Sequence, residues 1–323
     1  MEKIKIRKIY ALIALGGFLC FLPSLGLSQP CTATVVGGSS YPSINAAVGV
    51  AVFGDTINVS GTCYEVVQIL ANKSGITLNG GGTATIICQS PPFPPNVCAA
   101  APNMVITGTQ IFVNGFNITG GVAGIQIAQG AIATINGNNI YGTQRNGIVV
   151  VMNSFATIVN NTIHDTGLNP NAPHTTGIEV SDNASAWIGV SRPTDTVASP
   201  NIIRDNQNGI RVRRSASAVI VGNEIRNNTD DGIKVLEGSV ADIASNLIDG
   251  NGQNGIFVSQ GSGVKLADDD TGTAIFNLPN SGTNGDKGLS CSIGGYVDGV
   301  LGDLDGLHGA VRISKGCFNS LEK

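Results

Sequence analysis

The stretch Gly209-Ile210-Arg211-Val212, followed by Asn223-Glu224-Ile225, returns as Gly232-Ile233-Lys234-Val235 with Asn246-Leu247-Ile248 and reopens as Gly255-Ile256-Phe257-Val258, a step of 23 residues. The same Gly-Ile pair stands at 124, 147 and 177, so the successive steps are 23, 30, 32, 23 and 23. Self-similarity at such a period marks a repeat architecture. Counted from each glycine, offsets 1 and 3 are apolar in every copy: Ile125/Ile127, Ile148/Val150, Ile178/Val180, Ile210/Val212, Ile233/Val235 and Ile256/Val258. A period of two is a strand. Offsets 9 and 11 repeat it as Ala133/Ile135, Ala156/Ile158, Ala186/Ile188, Ala218/Ile220, Ala241/Ile243 and Val264/Leu266, which gives a second strand.

A third strand follows Asn138, Asn161, Asn201, Asn223 and Asn246, each two residues before an isoleucine. Asparagine tolerates a left-handed turn, and its amide can bond the same amide one coil away, so the column is predicted to be an asparagine ladder. Three short strands per coil, each paired only with neighbouring coils, bury one aliphatic column. The fold class is therefore all-β: a single-stranded, right-handed parallel β-helix, or solenoid. The two longer steps place insertions of about 7 residues between Ile163 and Gly177 and about 9 to 10 between Ile188 and Asn201, flanking the coil at Gly177. Repeat folds carry insertions on the working face.

The chain begins with a basic run (Lys3, Lys5, Arg7, Lys8), an apolar stretch from Ile9 to Leu27 and Gly26-Leu27-Ser28, the pattern of a secretory signal over residues 1–28. Cys20 lacks the small residue before it that a lipoprotein cysteine needs. Residues 29–323 are read as one domain: 29–60 an N-terminal cap and first strand, 61–266 the coils, 267–323 an irregular C-terminal cap. Ser43-Ile44-Asn45-Ala46-Ala47-Val48 reads as a short helix with a serine cap, closing the open end. The leader holds four of the 18 basic and one of the 22 acidic residues, leaving a net charge of about −7 that disfavours nucleic acid and anionic membranes as partners. No later segment is apolar enough to span a bilayer, and the exported product is expected in the periplasm or outside the cell, as a monomer. Six cysteines remain, and sequence order suggests Cys31 with Cys63, Cys88 with Cys98 and Cys291 with Cys317.

Asp55-Thr56-Ile57, Gly61-Thr62-Cys63-Tyr64-Glu65 and Gly75-Ile76-Thr77-Leu78-Asn79-Gly80 resemble the opening of pectin-lyase-like β-helix proteins, and the Gly-Ile and Asn-x-Ile coils resemble their parallel β-helix repeats. The resemblance covers roughly residues 43 to 266 and implies the fold; the superfamily's functions include polysaccharide lyases, hydrolases, tailspikes and adhesins. Polygalacturonase motifs are incomplete here: Asn228-Thr229-Asp230-Asp231 matches in part, Gly-His-Gly is absent, and Arg312-Ile313-Ser314 lacks the lysine. No catalytic residue is carried over.

Charge gathers on the outward positions of the coils at Gly177, Gly209 and Gly232. Glu179, Arg211 and Lys234 share one column; Arg213 lies beside it; Asp182, Arg214 and Glu237 form a second; His164 and Arg204 belong to a third across the neighbouring turn. Arg211, Arg213 and Lys234 would neutralise a uronate carboxylate, and Arg or Lys would take the adjacent proton in β-elimination. Glu179 and Asp182 are candidates to hold Ca²⁺ for the same purpose, as are the acidic turns Asp268-Asp269-Asp270 and Asp303-Leu304-Asp305. No cofactor is established by these residues. The plainer expectation is a solvated face on which Glu179 pairs with Arg211 and Asp182 with Arg214, while His164, His174 and His308 are surface residues and Asp230-Asp231 an ordinary turn. Two functions stand: an exported protein that binds or processes an acidic extracellular polysaccharide, lyase-like if catalytic, or a non-catalytic β-helix of the cell envelope, structural or adhesive.

Overall fold

The computed structural model describes residues 30–88, 101–167, 169, 174–192, 194–267 and 274–322. Each coil contributes one strand to each of three sheets, numbered here in the order the chain visits them from each Gly-Ile pair. Sheet 1 has ten strands, runs from Val67–Ile69 to Val311–Ile313 and holds the Gly-Ile strands; sheet 2 has thirteen; sheet 3 has ten, from Thr62–Tyr64 to Asp303–Gly306. From the second coil onward the pairing is parallel and in register, as in Ile178↔Ile210, Ile210↔Ile233 and Ile233↔Ile256. All the apolar residues assigned inward by their offsets are buried, the isoleucines of the Gly-Ile pairs completely.

Space explains the glycine column. A Cβ on Gly209 would lie 2.5 Å from the carbonyl oxygen of Gly232 and 2.6 Å from Ile225 Cγ2, and the same clash recurs at Gly124, Gly147, Gly177 and Gly232. The asparagine ladder runs from Asn138 through Asn161, Asn201, Asn223 and Asn246 to Asn280, each backbone and side-chain N–H donating to the Oδ1 of the next rung at 2.9–3.1 Å. A second ladder, at the turn from sheet 3 into sheet 1, links Thr166, Asn206, Asn228, Asn251 and Asn284.

The helix Ile44–Val50 plugs the N-terminal end with buried Ile44, Ala47 and Val48. Ser43 Oγ accepts from Ala46 N, as its place in the sequence predicts, and the Glu65 carboxylate accepts from Ile44 N at 2.7 Å and Asn45 N at 3.0 Å, satisfying two further orphan donors of the first turn. Before it, Thr32–Val35 pairs antiparallel with Thr56–Ser60, a strand the repeat could not announce. The other end differs from the irregular cap expected after Leu266. Strands Ser281–Asn284, Leu289–Cys291 and Tyr296–Val300 pair parallel with Asp303–Gly306, Val311–Ile313 and Phe318–Glu322, so the coils continue to residue 322. Leucine replaces isoleucine and the step lengthens there, which hides the repeat. Cys31–Cys63 and Cys291–Cys317 are bonded as sequence order suggests. Cys88 is also disulfide-bonded, and Cys98, like residues 1–29 and Asp268-Asp269-Asp270, lies outside the described residues. Among the described residues no helix is long and apolar enough to cross a membrane.

Candidate functional site: the charged face of sheet 1

Register fixes what each outward column brings together. Val149, Glu179, Arg211, Lys234 and Phe257 are consecutive partners on sheet 1, one coil apart. The face is not the solvated one expected. Glu179 and Arg211 are each only 3% exposed. Burial demands compensation, because an unpaired charge inside a protein costs several kcal/mol. Glu179 finds it in two guanidiniums: Arg211 Nη2 at 3.4 Å, and Arg213, which donates through Nε at 3.0 Å and Nη2 at 2.8 Å to Oε1. The diagonal neighbour Arg213 is thus the tighter partner, within reach because long side chains cross to the next-but-one position of an adjacent strand. Arg211 Nη1 donates to the carbonyl of His174 at 3.3 Å, so the lip of the first insertion lies over the guanidinium. Its Nε is buried without a partner. Burial draws the Arg211 guanidinium below its ordinary value, against the pull of Glu179.

Next on the face, Lys234 Nζ lies 2.7 Å from Asp231 and 3.3 Å from Asp230, and 5.2 Å from the Phe257 ring centroid. Asp231 is buried and accepts from Asn254 N at 3.1 Å and Nδ2 at 2.8 Å, which corrects its reading as an ordinary turn residue. Burial pushes the Asp231 carboxyl up despite Lys234. His174 is exposed, in the field of Arg211, Lys234 and Arg213; partial burial and then these cations hold its imidazole below the ordinary histidine value, so it is a neutral nitrogen base at neutral pH.

On the upstream side the face hollows into a groove of about 260 Å³ lined by Gln126, Arg145, Asn146, Val149, Glu179 and Arg213, among others. Arg145 Nε is buried without a hydrogen-bond partner, and among the described residues no carboxylate pairs with this guanidinium. The sequence offered a signal for Asn146 and Asp231, since the position before each glycine from Gly147 onward reads Asn146, Thr176, Asn208, Asp231 and Asn254, a polar outward column. Arg145 stands two residues before its glycine in a column of mixed type, Val122, Arg145, Thr175, Gln207, Asp230 and Gln253, which carried none.

Of the remaining candidates Asp182 also lines this groove, and the others lie away from it. Asp182, Arg214 and Glu237 are turn residues with φ near +56° on successive coils, joined by exposed pairs of 3.3 and 3.4 Å. Such pairs are worth about 0.2–1 kcal/mol. His164 and Arg204 stand on sheet 3, apart from the Arg211 cluster: His164 stacks on Tyr141 with centroids 5.4 Å apart and bonds Asp165 at 2.6 Å, and Arg204 pairs with Asp205. Calcium does not suit Glu179, whose two oxygens already face two guanidiniums. Among the described residues the sole grouping of three metal-ligating types is Cys31, Cys63 and Glu65, and those cysteines are bonded to each other.

The family model described as right handed beta helix region matches residues 55–194 and 179–270. The chain belongs to this right-handed β-helix family. Among curated protein sequences none matches it significantly. Of solved structures, pectate lyase Pel9A is similar at TM-score 0.55 and 15% identity, covering 85% of this chain and 72% of that one. A point mutant of the periplasmic alginate epimerase AlgG is similar at TM-score 0.51 and 13% identity, covering 83% and 84%. Likeness at these identities is likeness of fold.

Proposed function

We propose that this β-helix protein binds an acidic extracellular polysaccharide along the outward face of sheet 1 and acts on it by lyase-type chemistry. The observation that carries the reading is the gathering of Arg145, Arg211, Arg213 and Lys234 on one face beside the groove, with buried Nε donors of Arg145 and Arg211 unspent. A uronate carboxylate is the group that such guanidiniums recognise. Neutralising it acidifies the neighbouring C–H, so that a base can take the proton while the glycosidic C–O bond at the next carbon breaks and a C=C bond forms. His174, neutral and beside three cations, is the base this arrangement favours; Arg145 and Arg213, which line the groove, serve the carboxylate. The fold neighbours, a pectate lyase and an alginate epimerase by their names, agree with a uronate substrate. Export is supported by the disulfides, which persist in oxidising compartments.

The non-catalytic envelope reading is favoured by one observation, that Glu179 and the cations around it neutralise each other. Arg145 separates the two. Because no carboxylate is stranded by its loss, Arg145→Ala is expected to leave stability within about 0.5 kcal/mol while weakening uronate-oligomer binding at least tenfold. The assay incubates protein with pectate, alginate and other uronate polymers and follows binding by calorimetry and unsaturated product by ultraviolet absorbance. No binding across the panel refutes the reading, and undiminished binding by Arg145→Ala refutes the site.

A further inference from the structure

Sheet 2 carries a second outward face with a different chemistry. One column reads Thr77, Phe112, Thr134, Thr157, Trp187 and Val219 in register. Its neighbour reads Ile132, Phe155, Ser185, Ser217 and Val240. Up to Val219 the first column holds no charge, and its next member, on the coil of Val240, is Asp242, whereas sheet 1 carries Glu179, Arg211 and Lys234 on coils of the same set. Aromatic rings and hydroxyls alternate instead.

Across the coils of Trp187, Ser217 and Val240 the face dips into a cleft of about 220 Å³ lined by Ser185, Trp187, Ser217, Val219, Val240 and Asp242. The indole that walls it is held from behind. Phe155 meets it edge-on with centroids 5.0 Å apart, and it packs on a satellite apolar cluster of Val190, Val221, Ala244, Ala267 and Phe276. The Ser185 and Ser217 hydroxyls lie 2.7 Å apart and keep acceptor capacity beyond the bond between them. A fixed aromatic face beside hydroxyls and the Asp242 carboxylate, with no cation in the lining, matches a neutral pyranose: C–H groups on one face of the ring, hydroxyls at its rim. A uronate is disfavoured, since no cation lines the cleft to meet its charge.

We propose that this cleft is a second glycan-binding site, taking an uncharged hexose of a polysaccharide on the Trp187 indole. It stands independently of the reading of sheet 1. The two faces would let one rigid body hold a neutral and an acidic chain together.

Trp187 is the single tryptophan of the chain, so its emission reports this cleft alone. The full chain is titrated with cellohexaose, mannohexaose and galactohexaose and, in parallel, with oligouronates. A saturable emission shift with a neutral hexasaccharide is expected, unchanged in Arg145→Ala and at least tenfold weaker in Val219→Lys, whose side chain would fill the cleft from an outward position; circular dichroism melting checks that the variant is folded. Calorimetry on Trp187→Ala gives a readout without the fluorophore and should lose neutral-sugar binding while keeping any uronate binding. The proposal is overturned by no response to any neutral sugar, by a response to uronates alone, or by an emission shift that follows protein concentration with a doubling of mass, which would make the face a contact between copies.

Discussion

Glu179 sits between two guanidiniums, and the unequal burial of those partners sets an order of costs. Glu179→Ala would leave Arg211 buried without its counter-charge, a loss of about 3–5 kcal/mol on the pattern of broken buried pairs. Arg213→Ala should cost less, because Arg213 is more exposed and Glu179 keeps Arg211. Urea unfolding of the two variants checks the order, and equal costs would contradict it. Titration probes the adjoining cluster. Burial works against the Lys234 ammonium, but Asp231 and Asp230 outweigh it and leave its pKa raised above 10.5. A cation whose pKa rises on folding stabilises the fold below its unfolded value and loses that contribution as pH climbs through the folded one. Lys234→Met should therefore flatten the alkaline limb of a stability profile. Asp231, raised above 3.8 by burial, has the same sign on the acid side: its contribution is present below 3.8 and is lost as pH rises through the folded value. Asp231→Asn should remove that decline. Charge placement was legible in the sequence because outward offsets follow from the repeat. Burial was not, because it depends on chain from outside the repeat, above all the His174 lip; the Arg213 diagonal was not, because it follows from side-chain reach rather than from direct cross-strand pairing.

Within the coil, strands were legible wherever the step stayed near 23 residues, and the columns that define turns were legible in part. The first asparagine ladder announces itself by Asn-x-Ile. The second falls nineteen residues after the Gly-Ile glycines and begins as Thr166 before turning to Asn206, after the insertion, then Asn228 and Asn251. A change of residue type, and an adjacent Thr-Asp-Asp that suggests chemistry, concealed it. Asn228 is accordingly structural: its Oδ1 accepts from Asn206 N and Nδ2, and its own amide donates to Asn251 Oδ1 and Ile203 O. Asn223 holds the matching rung of the first ladder, with amide bonds to Ile188 O, Val221 O and Asn246 Oδ1. Alanine at either position leaves several buried groups unpaired, at about 1–3 kcal/mol each. Asn223→Ala and Asn228→Ala are thus expected to lower the thermal midpoint by similar amounts. A silent Asn228→Ala paired with a damaging Asn223→Ala would show that the second ladder is dispensable.

A solenoid whose coils touch only their neighbours has stability that varies along its length, so its ends open first unless something closes them. Here both ends are held, by different means. The N-terminal end has the buried plug of helix Ile44–Val50, capped by Ser43 and Glu65, and Cys31–Cys63 ties the entering chain to the first coil. The C-terminal end has no helix among the described residues; its last strands lie at sheet edges, Phe318 is 69% exposed, and Cys291–Cys317 pins the final coil to the one before it. Each bridge closes a loop of 32 or 26 residues in sequence separation, for which chain entropy gives about 3–4 kcal/mol. Because that stabilisation enters a chain of coils linked only by nearest-neighbour contacts, it should be felt locally. Reduction is therefore expected to raise amide exchange over 281–322 strongly, to raise it less over 30–64 where the plug remains, and to leave strands from Asn146 to Val258 protected by their ladders and register. Segment-resolved hydrogen exchange with and without reductant measures this directly. A uniform rise along the chain would mean that the coils unfold as one unit, and that the ladders couple distant coils more tightly than neighbour contacts alone allow.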